Sequence, residues 1–187
     1  YAAAQYTYDE NLYPTKVEFL DEQYARTYLS AGYSAIQRTF DKNGDALTET
    51  YLDNQDQPTT GSAGYATVRN TRDTSRRIIL REYLDTEGLP TTLAGGYSAI
   101  AYEYDHLNNI TRESYLDKSL QPIWGPYGYS ATVYTYDARN HCVAERLLNT
   151  QGSPAIHSGS RYSSLTREVD KDGRVLRVNY FDISGNP

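Results

Sequence analysis

Carboxylates, imidazoles and one thiol are the groups in this chain that could do acid–base, metal or nucleophilic chemistry. The aspartates Asp9, Asp41, Asp73, Asp105 and Asp137 stand 32 residues apart, and Asp170 follows after 33. Asp41-Lys-Asn-Gly-Asp45 has the look of a calcium loop. Calcium takes about six to eight oxygens, and a dedicated loop closes with a bidentate acid further on. Only the first aspartate persists from copy to copy, while its neighbours become Leu, Arg or Asn. The series therefore reads as turn capping, and no metal is expected. His106, His141 and His157 fall at different positions relative to these aspartates. His141 and Cys142 are adjacent, which raises a thiol nucleophile beside its base, but no third group is placed to orient the imidazole. They read as ordinary substitutions. No catalytic residue and no cofactor is expected.

The aromatic residues offer a different chemistry, stacking against flat apolar faces. Tyr1, Tyr33, Tyr65, Tyr97 and Tyr129 keep the same step of 32, and Tyr162 follows after 33. In one reading these rings form a buried ladder that sets strand register. In the other they are partly exposed and hold sugars. Strict repetition in an array favours the ladder. The loop Ile123-Trp-Gly-Pro-Tyr127 carries two further aromatics, which suit a sugar or a partner protein; covering of a sheet edge by Trp124 is the alternative. The candidate ligand-binding residues are thus Trp124 and Tyr127 with Tyr33, Tyr65, Tyr97 and Tyr129. The candidate ligand is a glycan or cell-wall polymer.

Such residues need a scaffold, and the repeat supplies one. The copies run 1–32, 33–64, 65–96, 97–128, 129–161 and 162–187, the last incomplete, as one array over 1–187. In Tyr97 to Tyr104, Ile100, Tyr102 and Tyr104 alternate with smaller or polar residues, a strand with one apolar face. Asp105 to Asn109 then makes a turn, Ile110 to Leu116 returns, and a second turn runs from Asp117 to Pro122. A loop leads to the next Gly-Tyr, and Gly32, Gly64, Gly96 and Gly128 are placed for a left-handed turn or a close backbone passage. Strands are expected near 33–40, 46–52, 65–72, 78–84, 97–104, 110–116, 129–136 and 142–148, with turns near 41–45, 73–77, 105–109 and 137–141. Leu52, Leu84, Leu116 and Leu148, with Leu20 and Phe181, should face inward. The fold class is all-β, a tandem repeat of β-hairpins. They form either an elongated twisted antiparallel sheet or a β-solenoid.

Composition limits the partners. With 24 acidic and 18 basic side chains the net charge is −6, which argues against nucleic acid. The dense basic run from Arg69 to Arg81 lies in a single copy and reads as a solvated hairpin. The chain has 20 tyrosines, which supply a half-wet apolar surface in place of a thick aliphatic core. No stretch is long enough for membrane insertion. One cysteine, Cys142, forms no internal disulfide and fits a reduced compartment or a thiol-poor bacterial surface. The chain opens in phase at Tyr1 and has no Met, as expected of a segment cut from a longer parent chain.

The Tyr-Asp steps at turns, Tyr8-Asp9, Phe40-Asp41, Tyr104-Asp105 and Tyr136-Asp137, resemble the YD repeats of RHS-like bacterial proteins. Tyr-Leu-Asp-x-x-Gly-x-Pro, from Tyr83 to Pro90, resembles turns of bacterial cell-wall and glucan-binding repeats. The first resemblance implies a hairpin array in a large surface or secreted protein, of a kind that wraps a toxin in a β shell or acts in contact with other cells. The second implies choline or glucan held between hairpins. Together they set the expectation of a non-catalytic, extracellular or cell-surface module that binds a glycan or cell-wall polymer through aromatic-lined loops. A structural spacer or RHS-like shell segment is the alternative.

Overall fold

Alternating side chains punctuated by Asp and Gly turns form twelve strands and no helix in the computed structural model, which describes residues 1–187. The chain divides into two compact units, Tyr1–Ala94 and Gly95–Pro187. In the first, β1 (Ala3–Tyr8) pairs with β2 (Pro14–Leu20), β3 (Ala35–Phe40) with β4 (Ala46–Leu52), and β5 (Thr67–Arg72) with β6 (Ile78–Leu84). In the second, β7 (Ala99–Tyr104) pairs with β8 (Ile110–Leu116), β9 (Ala131–Tyr136) with β10 (Cys142–Leu148), and β11 (Ser164–Val169) with β12 (Val175–Phe181). All six are antiparallel hairpins. Within each unit, neighbouring hairpins also pair: β2 with β3, β4 with β5, β8 with β9, and β10 with β11. Each unit is therefore one open antiparallel sheet, and the continuous sheet, not the solenoid, is the stacking it adopts.

The seams differ inside and between hairpins. Within the β3–β4 hairpin the register runs from Ala35↔Leu52 to Phe40↔Ala46. Between β4 and β5 it covers only Thr48↔Arg69 to Thr50↔Thr67. The rest of that seam is taken by the returning loop: Thr59 N–H donates to the Tyr51 carbonyl and Tyr51 N–H donates to the Ala66 carbonyl. Expected strand ends were accurate, but strands begin two residues after the repeat tyrosine. The Tyr-Ser step still belongs to the loop closure, where Leu29 N–H donates to the Tyr33 carbonyl. The following Ser34, Ser98 and Ser130 are essentially inaccessible, which explains why only small residues stand there.

The turns that directly follow the strands share one mechanism. In each, an Asp or Asn side chain accepts two backbone N–H groups, two and four residues further on. Asp41 Oδ1 takes Asn43 N–H at 2.8 Å and Asp45 N–H at 2.9 Å. Asp117 and Asn149 do the same for the second type of turn. The residue three after the cap is left-handed. Glycine fills it at Gly44 and Gly173, but Leu12, Tyr24, Arg76 and Leu120 carry it at φ 63, 59, 67 and 60°. Each such residue costs about 1–2 kcal/mol, so the cap and ladder must outweigh it. The loop glycines Gly32, Gly64, Gly96 and Gly128 are left-handed as expected, at φ 90, 88, 86 and 79°. In the loop with one extra residue, Arg161 takes that place at φ 63°. The insertion simply widens the closing turn: Arg161 N–H reaches the His157 carbonyl, where Gly128 N–H reaches Gly125.

The core lies at the loop end of each hairpin. Leu52, Leu84, Leu116 and Leu148 are buried, as the repeat predicts, while Leu20 and Phe181 are only half-buried. The residue before each leucine points to the opposite face. In the first unit Val17, Phe19 and Ile36 form the apolar centre, with Leu29, Tyr33 and Tyr51 packed against it.

Candidate functional site

The repeat tyrosines do not stand alone. A second series at the same period, Phe19, Tyr51, Tyr83, Tyr115 and Tyr180, with Leu147 in the fifth copy, interleaves with them. In the first unit the rings run Tyr1, Phe19, Tyr33, Tyr51, Tyr65, Tyr83, with centroids 5.0, 6.1, 4.2, 5.3 and 5.1 Å apart. Tyr33 and Tyr51 are stacked within 3° of parallel. The Tyr51 and Tyr65 hydroxyls are 3.0 Å apart. In the second unit Tyr97, Tyr115 and Tyr129 continue at 4.8 and 6.0 Å. Leu147 breaks the series, and His157 from the loop enters instead, 6.0 Å from Tyr129 and 5.5 Å from Tyr162. Burial, the largest cause, pushes the Tyr33, Tyr51, Tyr115 and Tyr162 hydroxyls above the ordinary phenol range. Each neighbouring pair is worth about 0.5–1.5 kcal/mol beyond burial. The second series was visible in the sequence, one residue before each repeated leucine.

The loops fit the file by size. One loop position holds Leu29, Gly61, Leu93, Gly125 and His157 in successive copies, and it lies against the second series at Tyr51 and Tyr115. A side chain at Gly61 would place Cβ 2.9 Å from Tyr51, and one at Gly125 would place it 2.2 Å from Tyr115. At these two copies the ring stands where a side chain would go, and neither glycine has a left-handed backbone.

Tyr33, Tyr65, Tyr97 and Tyr129 are therefore half-buried ladder members whose ring faces meet other rings. Trp124 and Tyr127 are different. They are 49% and 51% exposed, and Tyr127 lies nearly flat on His157 at 5.3 Å and 17°. Tyr28 occupies the position of Trp124 in the first copy and is equally exposed at 49%, so an aromatic there is not unique to the fourth copy. The structure brings Tyr127 and Tyr129 together, 6.5 Å apart. A groove of about 290 Å³ on the aromatic face of the first unit is walled by Tyr65 and Tyr83 and edged by Glu49, Asn70 and Arg81.

Several of the remaining chemical groups are engaged within the fold. Asp41 carries two backbone N–H donors, which hold its carboxyl below the usual range, and Asp45 pairs with Arg76. The capping reading of the Asp41–Asp45 turn is the one observed. His141 Nδ1 lies 3.2 Å from Asp137 Oδ2, and its ring covers Gly173 of the next turn, where a Cβ would come within 2.7 Å. Tyr13 covers Gly44 in the same way, so His141 belongs to a series that couples hairpin tips. Burial pushes the Cys142 thiol up, against the pull of Arg167, and so disfavours a thiolate. In the basic run, Arg69 is bidentate to Glu82 at 2.9 and 2.8 Å, Arg77 pairs with Asp73, and Arg81 donates to Asn70. The run is a hairpin with its charges engaged.

No family profile matches the chain, and no curated protein sequence does. Among solved structures it overlaps a mutant of the Photorhabdus luminescens Tc holotoxin pore, with a TM-score of 0.45 and 12% identity, over 98% of this chain and 9% of that one. It also overlaps TcdB2-TccC3, with a TM-score of 0.41 and 13% identity, over 97% of this chain and 12% of that one. The chain thus spans about a tenth of the length of the chains it overlaps. Overlaps at these scores do not define a shared fold. No helix of the chain is long and apolar enough to cross a membrane.

Proposed function

We propose that the chain is a non-catalytic scaffold module of a larger bacterial surface or secreted protein, an RHS-like wall or spacer segment. The observation that carries this is the fate of the repeated residues. The aspartates are bound to turn N–H groups, and the tyrosines are stacked in a file through each unit. Residues repeated for a ligand would keep a free face in every copy. Here repetition serves register, as in arrays whose stability comes from neighbour contacts. The Tyr-Asp turn resemblance supports the setting. The test compares Tyr115→Ala with Trp124→Ala. The first should lower the urea midpoint clearly, and the second should leave it within error. Equal, small effects would overturn the scaffold role of the file.

A second reading is favoured by one observation, the exposure of Trp124 and Tyr127 in one loop. This loop in the second unit and, separately, the groove beside Tyr65 in the first could each hold a glycan or cell-wall polymer by ring stacking. A glycan array should then show binding that Trp124→Ala or Tyr65→Phe weakens. Absence of any glycan signal would leave the scaffold alone.

A further inference from the structure

We propose that Glu113 anchors a binding site on the aromatic face of the second unit for a guanidinium group, the arginine side chain of a partner protein. The internal repeat carries the inference. Glu113 belongs to a series on the same face, Glu49, Arg81, Glu113 and Glu145. The residues able to reach that position from the two flanking strands form another series: Arg38, Asn70, Tyr102, Tyr134 and Arg167. Glu49 pairs with Arg38, its direct cross-strand neighbour, at 2.8 Å. Glu145 faces Tyr134 across its own hairpin and pairs instead with Arg167 of the next. Arg81 donates to Asn70 across its hairpin at 3.1 Å. Glu113 faces Tyr102 in its own hairpin and Thr132 in the next, with Tyr134 beyond it. It is the carboxylate of the series with tyrosine at both arginine positions.

The consequence is a half-buried carboxylate without a cation. Burial alone pushes the Glu113 carboxyl up, with no charge or hydrogen bond to offset it. Its field adds to burial in raising the Tyr115 and Tyr134 hydroxyls, the latter to about 12, which places the carboxylate among those rings. A group brought in from outside would restore what Glu49 and Glu145 already have. Arginine fits better than lysine, because its planar fork bonds a carboxylate and stacks on tyrosine faces at once. The site is independent of the scaffold reading, since it rests on the residues that differ between copies and not on those that repeat.

The probe is N-acetyl-arginine methylamide, followed by amide chemical shifts of the whole chain, with the citrulline and lysine analogues as comparisons. Saturable shifts are expected around Tyr102, Glu113 and Tyr134 at millimolar probe. Glu113→Gln, which keeps the shape, should weaken binding at least fivefold. Tyr102→Arg should abolish it by supplying the internal partner that Glu49 has in Arg38. The citrulline analogue, lacking the charge, should not bind. No saturable shift in the parent chain, or unchanged affinity in a folded Glu113→Gln variant, would overturn the site. Equal affinity for the lysine analogue would overturn the guanidinium assignment.

Discussion

Gly125→Ala puts a methyl group where the Tyr115 ring stands, and its effect can be worked from the structure. An ideal Cβ at Gly125 lies 2.2 Å from Tyr115 Cδ2 and 2.5 Å from Cε2. Carbon atoms rest about 3.5–4.0 Å apart, so ring or loop must move by roughly an ångström or more. The ring is not free to move, with Tyr97 at 4.8 Å and Tyr129 at 6.0 Å. Overpacking of this kind costs about 1–3 kcal/mol. Gly159→Ala is the matched control, since its Cβ meets His157 at an ordinary 3.5 Å, and it should cost under about 0.5 kcal/mol. In a Tyr115→Leu background the obstruction is gone. The fifth copy has this combination naturally, with Leu147 in the ring series and His157 at the loop position. Gly125→Ala should then be nearly neutral, giving a coupling of about 1 kcal/mol or more. Urea unfolding by circular dichroism, with slopes compared across the four variants, measures it. If Gly125→Ala costs the same with and without the ring, within about 0.3–0.5 kcal/mol, the loop glycine is not there for the ring.

Three further outcomes follow from the same geometry. Leu116→Ala should cost about 2–4 kcal/mol, and half-buried Leu20→Ala less; equal small losses by denaturant titration would show that the position is exposed. Leu120→Gly should stabilise by about 0.5–1 kcal/mol, because Leu120 is left-handed at φ 60° and glycine is not penalised there; a loss in thermal midpoint would refute the strain. The Tyr51, Tyr115 and Tyr134 hydroxyls have folded values above the unfolded one, so their contribution is complete below about pH 10 and fades as pH rises through the folded values. Melting curves between about pH 8 and 12 should show the fall, and Tyr134→Phe, which keeps the ring but cannot ionise, should show less of it.

Sequence alone determined the period, the hairpins and the turns of this protein. These depend on local chemistry: an Asp that reaches N–H groups two and four residues away, and side chains that alternate in step with the strand. Both are written within a dozen residues, which explains why strand ends at Phe40, Leu52, Leu84 and Leu116 were legible. The inward leucines were legible for the same reason. Tertiary structure decided what lies between copies. That Tyr33 meets Tyr51, that Gly125 lies against Tyr115, and that His157 replaces a missing ring depend on residues from different strands and loops meeting in space. No local pattern encodes such a meeting. The candidate site divides along the same line. Trp124 and Tyr127 stood out as unusual residues in a loop, whereas Glu113 looked like its counterparts Glu49 and Glu145. Only cross-strand register shows that two tyrosines stand where those carboxylates have arginine, because charge neutralisation acts across a seam and not along the chain.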